Sequence, residues 1–301
     1  MIYAILDIGA NTVRLHLYEC GKNTIKEIFS KKNVAGLVTY REDGKLSKKG
    51  IDKLVMVLSK YKKLISCYPV SNVYPFATAS LRNLENTAEI LKYVEKETGF
   101  KIELLNQKTE AALGFDGINQ KIKLTSGITM DIGGGSSEIT IFEDDRIARI
   151  YNLQEGCLSM YNKYVSDIVP TEDEFKNMKD YIDEKVCGFN ADGFKINDVV
   201  GIGGTIRATG NILKELGLNT NKKLFKSCQT KMIRNYIINK DHDVLKTILQ
   251  VVPERIHTIF PGLAILESLS EKLNIDSIKV SDYGLREGYL LKKLQNTGKN
   301  Q

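Results

Sequence analysis

The chain has no tryptophan, three histidines, five prolines and five cysteines in 301 residues, and these scarcities remove whole classes of protein. Cys20, Cys67, Cys157, Cys187 and Cys228 lack paired spacing, which argues against a disulfide framework and against a zinc site; they read as reduced thiols that mostly pack. His16, His242 and His257 stand too far apart in sequence to suggest a histidine-centred metal site. No apolar run approaches the roughly 20 residues that span a bilayer, and Met1 leads straight into strand-like sequence without a signal peptide, so the expected location is the cytoplasm. Neither a zinc finger nor an aromatic ribonucleoprotein signature is present, and nucleic acid is not the expected partner. What is left, at 42% hydrophobic and 27% charged, is a globular chain long enough for two domains with their own cores.

Against that background one pattern stands out, because it occurs twice. Ala4 to Glu19 (AILDIGANTVRLHLYE) is echoed by Ile128 to Glu143 (ITMDIGGGSSEITIFE), which aligns Asp7 with Asp131, Ile8 with Ile132, Gly9 with Gly133 and Thr12 with Ser136. Each copy is an apolar run ending in Asp, a tight glycine-containing turn, and then alternating residues of strand type. Gly133, Gly134 and Gly135 allow positive φ, so successive N–H groups can point at one anion, while Ser136 and Ser137 add hydroxyl donors. The Asp that closes each strand is an oxygen ligand suited to a hard cation such as Mg2+. Two such hairpins predict two related lobes facing a cleft.

The net charge is +6, and lysines gather at Lys31, Lys32, Lys45, Lys48, Lys49, Lys53, Lys60, Lys62 and Lys63. Such a set reads either as a solvated helix face or as a lining for a polyanion. Strands are expected over 2–6, 13–18, 25–31, 73–77, 101–104, 146–152, 198–201 and 277–281 besides the second hairpin. Helices are expected over 47–66, where Ser47 can cap the start, and over 79–98, 108–119 and 283–294. A further helix is announced by Pro170, Thr171 and Glu174, and another begins at Gly203–Thr205. The tail from Asn296 reads as polar and frayed. Strands and helices mixed in two lobes, each opening with the same meander, argue for an α/β fold. The lobe boundaries are expected at 1–124 plus 284–301 and at 125–283, with the last helix crossing back to the first lobe so that the lobes form a hinge pair.

DIGANTVRL (Asp7 to Leu15), ATASLRNLEN (Ala77 to Asn86), TEA (Thr109 to Ala111), DIGGGSSE (Asp131 to Glu138), GIGGT (Gly201 to Thr205), RIHTIFPGLAIL (Arg255 to Leu266) and VSDYGLREG (Val280 to Gly288) follow one another in this order. In that order and spacing they resemble the exopolyphosphatase and guanosine pentaphosphate phosphohydrolase family over nearly the whole chain. The resemblance implies two ribonuclease H-like domains of the actin, Hsp70 and sugar-kinase superfamily, a bacterial source, and an Mg2+-dependent hydrolase of phosphoanhydrides. The family uses an acid just before the Ala of a Gly-Glu-Glu-Ala-like stretch to activate water; that position is Glu110, the only acid in NQKTEAA. Phosphate contacts are implied at Gly9, Asn11, Thr12, Arg14, Arg82, Gly133, Gly134, Gly135, Ser136, Gly204 and Thr205. Arg82 also recommends itself chemically, since a guanidinium fork holds two phosphate oxygens at once. Asp131 and Glu138 are the implied Mg2+ ligands, with Asp7 assisting.

The chain also departs from the family pattern. Ala10 and Thr12 replace serines. Gln107, Lys108 and Thr109 stand where glycine and further acids are common, and Ala112 stands where arginine is common. A lysine such as Lys108 favours the charged form of a nearby carboxylate and so weakens it as a base. The chain ends soon after the GLREG helix, as in the short two-domain form, whereas long members carry a further helical region that helps hold polymer. The leading expectation is an exopolyphosphatase acting on inorganic polyphosphate, with preference for short chains. A guanosine pentaphosphate phosphohydrolase is second, a polyphosphate- or nucleotide-binding protein of low turnover third, and a kinase of the same superfamily last. The resemblance favours a homodimer, although no heptad or other interface signature is visible.

Overall fold

The computed structural model describes residues 1–21, 24–82 and 84–298; Asn83 of the ATASLRNLEN stretch and the end of the tail expected to fray lie outside them. The chain divides into two compact units, one formed by Met1–Gly117 with the chain from Leu285 onward, the other by Ile118–Gly284.

The first unit opens with β1 (Ile2–Ile8), β2 (Thr12–Cys20) and β3 (Ile25–Val34). A short hairpin, β4 (Arg41–Glu42) and β5 (Lys45–Leu46), leads into α1 (Lys48–Ile65), followed by β6 (Val70–Ala77), α2 (Thr87–Thr98), β7 (Glu103–Leu104) and α3 (Gln107–Asn119). Leu54, Val57, Leu58, Tyr61 and Ile65 form the buried stripe of α1, as their helical spacing requires. Ser47 precedes α1 but makes no cap bond, and its Oγ is enclosed without a partner, so the expected cap is not formed. The expected helix over 79–98 starts only at Thr87. Before it, carbonyls a helix would bond internally go elsewhere: Arg41 takes those of Ala79 and Ser80, and Thr87 Oγ1 takes those of Leu81 and Leu84. The result is an irregular turn that carries Arg82.

In the second unit come β8 (Gly127–Ile132), β9 (Ser137–Glu143), β10 (Arg146–Leu153), α4 (Cys157–Tyr164), α5 (Glu172–Lys185), β11 (Asp198–Ile202) and α6 (Gly203–Glu215). Then follow β12 (Leu224–Lys226), α7 (Thr230–Asn239), α8 (His242–Val251), α9 (Ile259–Lys272) and β13 (Ser277–Val280). Thr171 and Glu174 form the capping box of α5: Glu174 N donates to Thr171 Oγ1 at 3.2 Å and Thr171 N donates to Glu174 Oε2 at 2.8 Å. α9 is buried on every side, from Ile259 to Ser270, and forms the middle of the core. The closing helix α10 (Leu285–Gly298) belongs to the first unit, where Tyr289 and Leu290 complete an apolar cluster with Tyr3, Ile5, Tyr18 and Phe76.

The duplication extends to the sheets. The first is ordered β3-β2-β1-β6-β7 and the second β10-β9-β8-β11-β13, with β12 added at the far edge. In each, three antiparallel strands are followed by parallel ones. The parallel strand beside each first hairpin ends level with the loop, so every repeated feature falls at one edge of its sheet.

Candidate active site

The two repeated turns have the same internal bond: Gly9 N donates to Thr12 O at 3.0 Å, and Gly133 N donates to Ser136 O at 2.9 Å. A Cβ on Gly9 would lie 3.1 Å from Thr12 O, and one on Gly133 would lie 3.0 Å from Ser136 O. Space rather than a left-handed backbone is what glycine supplies here. The expected positive φ at Gly133, Gly134 and Gly135 is not found; the glycine with positive φ in this region is Gly203, at +84°.

The carbonyls of both turns are drawn away from the loop. In the first unit Ala35 N and Gly36 N donate to Asn11 O, and Val38 N donates to Ala10 O. In the second, Cys157 N donates to Gly133 O, and Leu158 N and Ser159 N both donate to Gly134 O. The N–H groups of Ala10 and Asn11, and those of Gly134, Gly135 and Ser136, have no acceptor among the described residues. Backbone donors left over in this way form a concavity for an anion. Asn11 also keeps its side-chain oxygen enclosed and unpartnered.

The third loop adds a helix end. α6 starts at Gly203 with no side-chain cap, so Gly204 and Thr205 present first-turn N–H groups. The Thr205 hydroxyl is spoken for: it is buried and donates to Ile132 O at 3.2 Å. What Thr205 can offer phosphate is its backbone. The first unit repeats this clasp, since Ser80 Oγ donates to Ile8 O, the carbonyl equivalent to that of Ile132. Arg255, which the sequence marked only as part of a longer stretch, packs its guanidinium on Gly204, where a Cβ would lie 1.7 Å from Nη2. No ion pair of Arg255 is found among the described residues, and its guanidinium stands beside a helix N-terminus, itself a centre of partial positive charge. Beside it the Cys157 thiol is pushed up by burial, and half-buried His257 is pushed down by burial and by Arg255.

The carboxylates fall into two settings. Asp131 sits opposite Glu138 in the β8–β9 register, so two acids share one face of adjacent strands, an arrangement that repels unless a cation joins it. Glu138 Oε1 accepts from Ser136 Oγ at 2.7 Å and from Asn152 Nδ2 at 3.0 Å. A Cβ on Gly203 would lie 2.2 Å from Asp131 Oδ1, so glycine there is what lets the third loop reach this carboxylate. No group of three or more His, Cys, Asp or Glu among the described residues could hold a metal. A pair of carboxylates still fits Mg2+, which takes one or two from the protein and the rest of its shell from water and phosphate. Asp7 differs: opposite it stands Arg14, and buried Arg286 is within electrostatic reach. Arg14 Nε donates to Thr12 Oγ1 at 3.3 Å. Beneath, His16 donates from Nδ1 to Glu27 Oε2 at 2.6 Å and accepts at Nε2 from Arg286; burial pushes its pKa down, which keeps the ring neutral.

Arg82 and Glu110, named separately in the sequence, are brought together. Arg82 Nη1 donates to Glu110 Oε2 at 2.9 Å and to Leu105 O at 3.1 Å, and the two side chains are only 15% and 13% exposed. Arg82 Nε and Nη2 make no hydrogen bond among the described residues, so the other side of the fork is left to receive an anion. Glu110 lies in the first turn of α3, where Thr109 N donates to Asn106 Oδ1 at 2.8 Å. Lys108, its neighbour, is exposed. The structure thus groups Gly9, Asn11, Thr12, Arg14, Asp7, Arg82 and Glu110 in one unit, and Gly133–Ser136, Asp131, Glu138, Gly204 and Thr205 in the other.

The profile of the Ppx/GppA phosphatase family matches residues 19–297. Exopolyphosphatase 1 of Mycobacterium tuberculosis is 23% identical over 98% of this chain and 89% of its own length. Guanosine-5'-triphosphate,3'-diphosphate pyrophosphatase of Vibrio cholerae is 25% identical over 98% of this chain and 60% of its own length. The crystal structure of the Aquifex aeolicus Ppx/GppA family member superposes with a TM-score of 0.78 at 25% identity, over 99% of this chain and 98% of that one. An exopolyphosphatase from Cytophaga hutchinsonii has the same fold, with a TM-score of 0.80. The fold is the actin-like, two-domain α/β fold. No helix among the described residues is long and apolar enough to cross a membrane.

Proposed function

The chain belongs to the Ppx/GppA phosphatase family, and from that premise we propose that it hydrolyses the terminal phosphoanhydride of inorganic polyphosphate, releasing phosphate, with Mg2+ as cofactor. The observation that carries this reading is the Arg82–Glu110 pair: one guanidinium holds an ionisable acid with Nη1 and keeps Nε and Nη2 for phosphate oxygens. A phosphoryl group on that fork has a general base at its side. Glu110 takes the proton of the attacking water, and the backbone N–H groups of Ala10 and Asn11 and of Gly134, Gly135 and Ser136 are the donors available to phosphoryl oxygens, which they bind without reading anything beyond them. Arg14, Arg255 and the start of α6 at Gly204 and Thr205 add positive potential. Asp131 and Glu138 would hold Mg2+, with Asp7 assisting, and the bound cation would offset negative charge on the phosphates.

The test is phosphate release by the purified chain with Mg2+, given medium-chain polyphosphate or guanosine pentaphosphate in parallel. Glu110→Gln is the control, because its amide oxygen still accepts from Arg82. Turnover should fall about 10²–10⁴-fold while substrate still binds. Unchanged turnover removes Glu110 from the role. Guanosine pentaphosphate is the second reading, favoured by the 25% identity to the Vibrio cholerae enzyme, and the ratio of the two rates decides between them. Tight polyphosphate binding without release would instead support a binding protein. We further propose a cytoplasmic homodimer, which fractionation and sedimentation would check.

A further inference from the structure

Arg41 is a half-buried cation that no part of the foregoing chemistry uses. It stands on β4, and its Nη2 donates to the carbonyls of Ala79 and Ser80, the latter at 2.9 Å. No carboxylate pairs with it among the described residues, its Nε is enclosed without a partner, and burial pushes its pKa down. Enclosing an arginine without a counter-ion is costly, and what it obtains here is two backbone oxygens of an irregular turn.

That turn has two products. Because the peptide is planar and trans, drawing the carbonyls of Ala79 and Ser80 toward Arg41 turns the N–H groups of Ser80 and Leu81 the opposite way. Leu81 N and Arg82 N both donate to Thr78 O, at 3.3 and 3.2 Å, and the Ser80 N–H has no acceptor among the described residues. Ser80 Oγ ties the same turn to Ile8 O, where the Gly9 loop begins. Two residues on, Arg82 reaches Glu110. Between Ala77 and Thr87 the described residues form neither helix nor strand; Leu81 and Leu84 are buried in the core, and Glu85 and Asn86 bond to Gly44 and Leu46, so at Ala79 and Ser80 the bonds found are those of Arg41 and of Ser80 Oγ.

We propose that Arg41 is a positioning residue: by pinning the carbonyls of Ala79 and Ser80 it fixes the turn that aims Arg82 at Glu110 and at substrate phosphate. The inference rests on the function proposed above for its kinetic consequence, but not for its structural one.

The experiment is a double-mutant cycle on the full chain, with Arg41→Ala, Arg82→Ala and the double variant assayed for release of phosphate from polyphosphate, and with Arg41→Lys as the conservative variant. Amide exchange is followed at Leu81 and Arg82 without substrate. Arg41→Ala should lower kcat/KM about tenfold in the wild-type background and less than about twofold once Arg82 is gone. Arg41→Lys should recover part of the loss. Exchange at Leu81 and Arg82 should quicken in Arg41→Ala and slow again in Arg41→Lys, while amides of β1 and α1 stay as they were. Equal losses in both backgrounds, or unchanged exchange at Leu81 and Arg82, would overturn the proposal. If Arg41→Ala does not fold, Arg41→Lys carries the same cycle with a smaller effect. If the wild-type chain releases no phosphate from either substrate, the functional reading fails on its own, and the exchange data still decide whether Arg41 holds the turn.

Discussion

The two hairpins share a turn, a register and a glycine, yet they have opposite electrostatic character. In the first, Asp7 faces Arg14, and the Thr12 hydroxyl accepts from the Arg14 side chain. In the second, Asp131 faces Glu138, and the Ser136 hydroxyl donates to the Glu138 carboxylate. The hydroxyl two residues before the variable position serves both, because a hydroxyl is donor and acceptor alike. One substitution within a duplicated frame thus replaces a pairing of acid with base by a pairing of two acids. The frame itself, including the clasps of Ser80 on Ile8 O and Thr205 on Ile132 O, is indifferent to which is built on it.

The sharpest way to break the comparison is to give the second hairpin the pairing of the first. Glu138→Arg should lower Mg2+-dependent phosphate release ~10³-fold or more, and excess Mg2+ should not restore it; a variant that keeps its Mg2+ response would end the assignment of the metal to this pair. The reverse exchange, Arg14→Glu, should raise KM for polyphosphate roughly 10- to 100-fold, since it removes a cation from the first loop and sets a second acid opposite Asp7; an unchanged KM would remove Arg14 from substrate binding. A third comparison uses the strand ends. Gly203→Ala places a methyl against the Asp131 carboxylate at a left-handed position, which should cost about 1–3 kcal/mol of stability and weaken Mg2+ activation. Ala77→Gly, at the equivalent place in the first unit, should cost about 0.5–1 kcal/mol and leave Mg2+ activation alone; thermal melting with a Mg2+ titration reads both.

The smallest effect concerns pH. Burial and Arg286 hold His16 below its ordinary value against the opposing pull of Glu27, so the unfolded chain takes up a proton below about pH 6.5 that the folded chain resists. Stability from this source is present above pH 6.5 and lost as the pH falls, by at most roughly 1.4 kcal/mol per pH unit. His16→Gln should flatten the acid limb of a melting-temperature profile. His257→Gln should flatten it less, because His257 is only half-buried; equal slopes would show that depth of burial does not set the difference.

Legibility in the sequence followed locality. Asp7, Asp131, Gly9 and Gly133 lie within or beside tight turns whose register is fixed by period-two alternation, so the repeat locates them, whereas Glu138 is named through the family resemblance. Arg82 and Glu110 could each be named, but 28 residues separate them, and only the packing of α3 against the turn brings them into contact. Arg255 is farther still from Gly204 in sequence and leaves no local trace. α9 is absent from the expected elements because a helix buried on every side has no polar face, hence no period to detect. The early part of the helical stretch expected over 79–98 fails, among the described residues, for the opposite reason. Its residues favour a helix locally, and Arg41, from an element of its own, takes the carbonyls a helix would need.

The first unit is assembled from two separated segments, Met1–Gly117 and the chain from Leu285 onward, whereas the second is one uninterrupted segment. On a ribosome, residues up to Gly117 therefore emerge with the face that carries Tyr3, Ile5, Tyr18 and Phe76 still uncovered, for α10 does not yet exist. At bacterial or eukaryotic elongation rates, that face waits on the order of ten seconds while the intervening segment is made. His16 and Tyr18 wait too, for Arg286 and Glu287. Nascent molecules thus pass through a stage in which the second hairpin can already be folded and the first cannot be finished, and a stalled or clipped chain lacking α10 would remain at that stage.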